Sequence, residues 1–413
     1  MSPRLAPRVA SPTSWEANGG SGIKTFARVK AETGLDVHEA ALGRMRWLFE
    51  EFDGNVHCAI SGGKDSTVVM ELAALVARER GERLHVYVLD QEAEWQHTRD
   101  HLRHTADRDD IDLTWYQVPF RLFNATSIGQ EWGHMWPTER PEGGWVREPE
   151  PDAIRVNEFG ADRFDTVLDA IQRTHGGAHL TGMRIEESPT RRLGSTVDPS
   201  YRWITWARSR AKLTRREREA GGKPFYTFNP IYDWSFRDVW HAIESYGWAH
   251  NGLYDEFFRY GVRTRDMRVS SLVHEHSLTS LNLVQEIEPQ TWEALVRRFP
   301  GINSYGHVGR TIEEEYVRKR PYMFDTWHDY LEHLLSTIVP SERGRETIRR
   351  MRISAQRDLP WVHPDVIDRQ LVAQALRNDY WHTSAFGKWI LAQKHKQGRT
   401  ELAEATRHRE ETR

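Results

Sequence analysis

Cysteine is almost missing from this chain: Cys58 is the only one in 413 residues. That excludes an intramolecular disulfide framework, and any zinc or iron–sulfur site built from several thiolates. Long apolar runs are missing too, since none approaches the roughly 18 residues that would suggest a membrane span. The opening MSPRLAPRVASPTSWEANGGSG has no apolar centre of the kind a secretory signal carries. Residues 1–34 are therefore expected to be a flexible lead-in, and the protein cytoplasmic with no membrane partner. A large excess of either charge is also lacking: 57 Lys and Arg face 60 Asp and Glu, for a net charge of −3. This argues against a chain built to coat nucleic acid and leaves room for a local basic patch. Tryptophan, by contrast, is abundant at 17 residues. Most of those rings suit core or interface packing, and some could stack on bases.

The stretch DVHEAALGRMRWLFEEF reads as a helix with Ala40, Leu42, Met45, Leu48 and Phe49 toward one side. NVHCAI then reads as a short buried strand. Val69, Leu72, Ala73 and Val76 recur at helical spacing after it, with Gly81 as a stop. RLHVYVLD, LTWYQVPF and AHLTGM read as further strands. Between the last two, DRFDTVLDAIQRTHGG is helical, with Phe164, Val167, Leu168 and Ile171 on one face. Strands alternating with helices predict a parallel α/β sheet, and such sheets take ligands at the carboxyl ends of their strands. Residues 127–160, rich in Gly, Pro and Trp, fit either an insertion or lid over the site, or a surface loop packed by its own aromatics. From WSFRDVWHAIESYG onward the chain turns helical, with Phe236, Val239, Trp240 and Ile243 as a stripe and Ser235 or Asp233 available as a cap. PQTWEALVRRF, TWHDYLEHLLSTIV and PDVIDRQLVAQALRN continue that pattern. The expected division is an α/β domain over 35–255, a mostly α-helical C-terminal extension over 256–395 and a charged tail over 396–413.

AISGGKDSTVV, residues 59–69, lies between the first strand and its helix. Glycines let the backbone turn tightly and aim successive N–H groups at an anion, and the helix adds its positive end. Lys64 supplies a cation, and Ser61 and Ser66 supply hydroxyls. Asp65 is the oddity, because a carboxylate should repel phosphate. It makes sense as a helix cap, as an orienter of the loop, or as a neighbour of Mg2+. The stretch does not satisfy G-x-x-x-x-G-K-[ST], which argues against an ordinary γ-phosphate-cleaving P-loop.

SGGKDS, at 61–66, resembles the signature of the PP-loop ATP pyrophosphatases, a group that includes phosphoadenosine-phosphosulfate (PAPS) reductases and a subunit of sulfate adenylyltransferase. TGMRIEES, at 181–188, resembles the G-x-R-x-x-E-S element of the PAPS-reductase-like branch. NPIYDWSFRDVWHAI, at 229–243, resembles its P-I-x-D-W-[ST]-x-x-D-V-W element. With TGLDVHEAALGRM ahead of the loop, the stretch from about 35 to 250 most resembles the IbrA-like PAPS sulfurtransferases, proteins often paired with a ParB-like partner. The resemblance implies a HUP or Rossmann-like α/β domain, a parallel sheet with helices on both faces, that binds an adenine nucleotide, ATP or PAPS, with Mg2+. By motif, Ser61, Gly62, Gly63, Lys64, Asp65 and Ser66 would hold phosphates. Asp90 and Gln91 would lie on the ribose or adenine side, and Gly182, Arg184 and Glu187 on the phosphate or substrate edge. Arg184 suits an oxyanion because guanidinium binds one bidentately, although a surface pair with Glu187 is the plainer alternative. Lys64, Asp65 and Arg184 are the residues expected to carry catalysis, and Asp65 the metal. Asp233, Trp234, Asp238 and Trp240 are expected to pack and cap a helix.

The reductases attack sulfur with a thiolate near the C-terminus, and this chain has no cysteine after Cys58. The function implied is therefore cleavage of ATP between its α and β phosphates to adenylate an acceptor, in sulfate-related or nucleic-acid modification chemistry, together with a partner protein. The alternative is a PAPS- or ATP-binding regulatory protein without turnover. Arg184 to Lys223 carries eleven Lys and Arg against five Asp and Glu. Within it, Arg208, Arg210, Lys212, Arg215 and Arg216 interleave with Trp203 and Trp206. This strip fits a nucleic-acid backbone, the wall of an anionic nucleotide pocket, or a solvated amphipathic helix. VHEHS, at 273–277, places His274 and His276 two apart without a further identifiable ligand, which favours ordinary packing over metal.

Overall fold

A computed structural model describes residues 34–126, 132–187, 201–210, 213–219, 221–274, 277–278, 280–299, 301–303, 319–339, 341–376, 386–387 and 389–398. Residues 1–33 of the lead-in, Lys212 and His276 lie outside the described residues. The chain forms two compact units. Among the described residues, the first holds those up to 91, 95–120 and 149–269, and the second holds those of 92–94, 121–148 and from 270 onward.

In the first unit, α1 (Val37–Glu51) begins where the Asp36 carboxylate accepts the Glu39 N–H at 2.8 Å. It buries Ala41, Met45, Leu48 and Phe49, so Ala41 takes the place that the sequence pattern gave to Ala40. β1 (Val56–Ala59) leads into α2 (Lys64–Glu79), which is buried from its first residue onward on most sides. There follow β2 (Leu84–Leu89), α3 (Gln96–Ala106) and β3 (Ile111–Tyr116), then α4 (Phe164–His175) and β6 (Gly177–Leu180), while the intervening β4 (Phe120–Phe123) and β5 (Trp132–Met135) belong with the second unit. β7 (Ala207–Arg210), α5 (Arg215–Glu219), β8 (Phe225–Phe228), α6 (Phe236–Tyr246) and α7 (Leu253–Arg259) complete the unit.

Six strands form one sheet in the order β3-β2-β1-β6-β8-β7, all parallel except the antiparallel edge strand β7. The order reverses direction at β1, whose neighbours are β2 on one side and β6 on the other. That is the switch point, where loops leave the sheet in opposite directions and open a crevice for ligand. Helices cover both faces, as expected of the fold class. On one face, Val56 and Cys58 of β1 join Val68, Val69, Leu72 and Val86 in a single apolar cluster. On the other, α4 lies over β1, β2 and β6: the Gln172 side-chain amide donates to the Tyr87 hydroxyl at 2.9 Å.

The second unit contains the β4–β5 ribbon, in which Trp132–Met135 gives the aromatic stretch a regular partner. Glu92 is buried there and accepts the Trp136 N–H at 2.7 Å and the Arg298 guanidinium at 2.9 Å. α8 (Leu281–Ile287) and α9 (Pro289–Arg298) follow, then α10 (Trp327–Thr337), α11 (Glu342–Asp358) and α12 (Pro364–Leu376). Leu331, Leu335, Ile348, Leu371 and Val372 form an apolar core among the last three. Arg352 of α11 pairs with the buried Asp368 of α12 at 2.9 Å, which satisfies the carboxylate inside that core. Among the described residues, no helix is long and apolar enough to cross a membrane.

Candidate functional site

β1 ends at the switch point, and the chain must reverse into α2 within a few residues. Gly62 makes that possible: its φ is +71°, and a Cβ there would lie 2.7 Å from Thr98 Cγ2. The turn is then held from within. Ser66 Oγ donates to the Gly63 carbonyl at 2.9 Å and accepts the Ser61 N–H at 3.2 Å, and the two serine hydroxyls meet at 3.1 Å. Ser61 and Ser66 thus shape the loop through each other. The N–H of Lys64 donates to the Tyr254 hydroxyl at 3.1 Å, while among the described residues no acceptor meets the N–H of Gly62 or Gly63. Two adjacent unpaired donors at a helix start form a seat for an anion.

Charge converges beside them. The Asp65 carboxylate is shared: Oδ2 accepts from Lys64 Nζ at 2.8 Å, and Oδ1 accepts from Arg184 Nε at 2.6 Å. Arg184 is 4% exposed although it is charged, and its Nη1 also reaches Glu186 at 2.9 Å and the Trp234 carbonyl at 3.4 Å. Glu187 stands farther off, at 3.9 Å, so the pair with Asp65 dominates over the i, i+3 pair considered from sequence. The Nη2 corner carries no bond to a described residue. Lys64 Nζ lies 5.5 Å from the Tyr254 ring centroid and 5.6 Å from that of Phe236, so aromatic faces support the ammonium in its buried position.

Gly182, at the end of β6, explains how Arg184 reaches this loop. A Cβ at 182 would lie 2.6 Å from the Asp65 carbonyl carbon and 2.7 Å from the Ser66 nitrogen. Only glycine lets the second strand end press against the first turn of α2. Its part is close approach, with no side chain to offer a ligand.

Residues 55–260 match the family model for the phosphoadenosine phosphosulfate reductase domain. This region belongs to the PAPS reductase-like superfamily. Residues 261–383 match a second model, a domain of unknown function, DUF3440. An uncharacterized protein of Escherichia coli (strain K12), YbdN, is 25% identical over 383 residues, which cover 84% of this chain and 89% of that protein. Among solved structures, Candida glabrata FMN adenylyltransferase with FAD and inorganic pyrophosphate is 13% identical at a TM-score of 0.32, covering 55% of this chain and 64% of that one. PAPS reductase from Candida auris, in a phosphate complex, is 13% identical at a TM-score of 0.28, covering 54% and 85%. The family match alone assigns the region.

Within the PAPS reductase-like domain, Asp90 is fully buried and its Oδ2 accepts from Trp115 Nε1 at 2.8 Å and Gln117 Nε2 at 3.0 Å. That carboxylate ties the end of β2 to the end of β3. Gln91 beside it is half-buried. Cys58 is fully buried inside β1, and burial pushes its thiol above the ordinary range.

The motif residues around 233–240 do pack and cap. Asp233 forms a two-pronged ion pair with Arg44 (2.9 and 2.5 Å), and Asp238 completes a capping box with Ser235. Trp234 donates its indole N–H to the Val37 carbonyl at 3.0 Å.

The basic strip needs a larger correction. It is broken into a one-turn 3-10 helix, the edge strand β7 and the short α5. Trp206, offered as a base-stacking ring, instead meets Trp47 and Phe228 at 5.9 and 5.5 Å between centroids. Arg208 is half-buried, Arg215 is exposed and paired with Glu219 at 2.8 Å, and the side chains of Arg210 and Arg216 fall outside the described set. A continuous basic helix with interleaved aromatics is not what these residues build.

Two supports of the loop escaped sequence reasoning. Buried Asn251 donates to the Gly62 carbonyl and to Thr98 Oγ1, both at 3.0 Å, and Tyr254 holds the first N–H of α2. Their signal in the sequence is only an Asn-Gly turn before α7. His101 of α3 also reaches the site's frame, its Nε2 2.9 Å from Thr67 Oγ1.

Proposed function

We propose that the PAPS reductase-like domain binds an adenine nucleotide, ATP or PAPS, with its phosphates on residues 61–66, and that with ATP it adenylates an acceptor. The observation that carries this reading is the pair of Gly62 and Gly63 N–H groups, unpartnered among the described residues, beside Lys64 at the switch point. In the step proposed, an anionic acceptor oxygen forms a bond to the α-phosphorus while the bond from that phosphorus to the bridging oxygen breaks. Pyrophosphate leaves with the electron pair. An acceptor already anionic needs no general base.

The chain's own contribution is positioning and charge. The glycine N–H groups and the end of α2 hold the leaving phosphates, and Lys64 follows the charge that builds on them. Asp65 keeps both cations in place before the nucleotide arrives. Arg184 contributes through its Nη2 corner, because its Nε is committed to Asp65. Magnesium commonly accompanies nucleotide phosphates, and Asp65 was its expected ligand. Both of its oxygens already contact cations, at 2.6 and 2.8 Å, which fits a directly bound ion poorly, so no step here runs through one. Gln91 and Glu187 remain candidates for the sugar and substrate edges.

Reduction of PAPS by this chain alone is not supported, since its one thiol is sealed in the sheet. The acceptor classes proposed are sulfate-related anions and nucleic acid, with a ParB-like protein as the proposed partner and the cytoplasm as the proposed location. The second reading, a nucleotide-dependent regulatory protein, is favoured by the fully paired state of Asp65.

Purified protein incubated with α-labelled ATP and candidate acceptors, with and without the partner, separates the two. Adenylylated product and pyrophosphate, both lost in Lys64→Ala, are expected. Nucleotide binding without either product, partner present, would replace the enzyme reading with the regulatory one. Failure of the parent protein to bind ATP or PAPS would remove both.

A further inference from the structure

The phosphate site occupies the carboxyl ends of β1 and β6 and leaves a polar cluster at their amino ends unexplained. His57 pairs in register with His85 of β2 on one side and with His179 of β6 on the other. Side chains at matched positions of neighbouring strands share a face, so three imidazoles stand in a row across the sheet. α4, over that face, adds His175 from its last turn. Its ring centroid is 4.9 Å from that of His57 and 4.6 Å from that of His85. The HGGAH sequence makes this possible. Gly176 and Gly177 have φ of +71° and +73°, and a Cβ on Gly177 would lie 2.4 Å from the Asn55 carbonyl oxygen. The tight turn lets His175 and His179 both reach His57.

A sheet face under a helix is ordinarily apolar, and imidazoles placed there lose hydration. Their bonds do not fully compensate. Nδ1 of His57 and Nδ1 of His85 face each other at 2.7 Å, so one proton must serve two lone pairs. Among the described residues, Nε2 of the buried His179 has no hydrogen-bond partner. One nitrogen from each of His57, His85 and His175 lies within 4.8 Å of the others.

We propose that His57, His85 and His175 form a binding site for one divalent transition-metal ion of the zinc class, separate from the phosphate loop. Three imidazoles suit Zn2+, Co2+, Ni2+ or Cu2+ and disfavour Mg2+ or Ca2+, which take oxygen. At Zn–N distances of about 2.0–2.1 Å, tetrahedral ligand nitrogens stand about 3.3 Å apart. The His57–His85 contact therefore needs to open by only about half an ångström.

Outer partners are already in place. His57 Nε2 meets Asn55 Oδ1 at 2.7 Å, and His85 Nε2 meets Thr114 Oγ1 at 3.1 Å, which leaves both Nδ1 atoms facing inward. Nε2 of His175 lies 3.3 Å from the Tyr116 hydroxyl. All three rings are half-buried, so an ion can enter and keep water in its fourth position. Burial first, then the neighbouring histidines, holds His57 down at about 2, and burial holds His175 at about 4, so their lone pairs are available at neutral pH.

The test is titration of the full chain, stripped by chelator and free of nucleotide, with Co2+ and then Zn2+, read by visible absorption and calorimetry. One equivalent of Co2+ with structured ligand-field bands, displaced by Zn2+, is expected. His175→Asn should weaken binding by more than about tenfold, while His104→Asn, at an exposed position, should bind like the parent. Circular dichroism checks the fold, and His85→Gln gives the same reading should His175→Asn unfold. Absence of saturable binding, or binding that survives in both variants, overturns the site and leaves the row a hydrogen-bonded imidazole chain.

Discussion

At the carboxyl ends of β1 and β6, Asp65 is clamped between Lys64 and Arg184. At the amino ends of the same strands, His57 and His179 stand beside two more histidines, and among the described residues no carboxylate bonds to any of the four rings. The two ends solve burial of polar groups differently. One keeps its charges and gives each a partner of opposite sign. The other sheds charge and keeps neutral rings. A site of the first kind is sensitive to losing any one member, because the partner left behind becomes an uncompensated buried charge. A site of the second kind tolerates neutral replacement and is sensitive to acid.

The largest effect should come from Asp65→Ala. It leaves the Lys64 ammonium and the Arg184 guanidinium close together with no anion between them. Breaking a buried pair typically costs about 3–5 kcal/mol, and the partial exposure of Asp65 places this case at the lower end, about 3 kcal/mol. Urea denaturation of parent and variant measures it. A loss below about 1 kcal/mol would show that the pairs behave as surface pairs, and the contrast between the two ends would collapse.

A smaller effect, about 1–3 kcal/mol, is expected of Gly182→Ala, whose methyl must displace the backbone of Asp65 and Ser66. Because the shift falls on the first turn of α2, nucleotide affinity measured by calorimetry should fall together with stability. Gly177→Ala crowds Asn55 at the other end and should cost comparable stability while leaving nucleotide affinity unchanged. Equal losses of affinity in both variants would mean that the two ends are not independent.

The sheet and the loop were legible because local pattern determines them. Apolar runs separated by turn signals gave β1, β2 and β3, and Gly62 and Gly63 mark a turn that few other residues could make. Partners that meet only in three dimensions were not legible. Asn251 and Tyr254 lie 189 and 190 positions from the loop residues they hold, and nothing in their own neighbourhood announces it. Charge patterning misled for a related reason. Arg and Trp in close succession look like a binding strip, yet Trp206, one residue ahead of the edge strand β7, packs its ring against Trp47 and Phe228. The histidine row was hidden likewise: His57, His85 and His179 are each single residues within apolar runs, and only strand register brings them together.

His101 offers the finest test, because it brings the neutral strategy to the charged end. It sits on α3 against Thr67 of α2, and its pKa falls to about 4, first through burial and then through His104, His250 and Arg108. An unfolded chain would protonate it near the ordinary value of 6.5. Below that value the unfolded state binds a proton that the folded state refuses, so this contribution to stability is complete above about pH 6.5, declines as pH falls, and is gone below about pH 4. Between about pH 7 and pH 5.5 the loss attributable to this one ring is about 1 kcal/mol. His101→Gln keeps a hydrogen-bonding group for Thr67 and cannot titrate. The difference in unfolding free energy between parent and variant should therefore shrink or reverse by that amount over the same interval. A difference that stays flat with pH would mean that His101 takes up its proton as readily in the folded chain as in the unfolded one, and it would then contribute no acid sensitivity at the charged end.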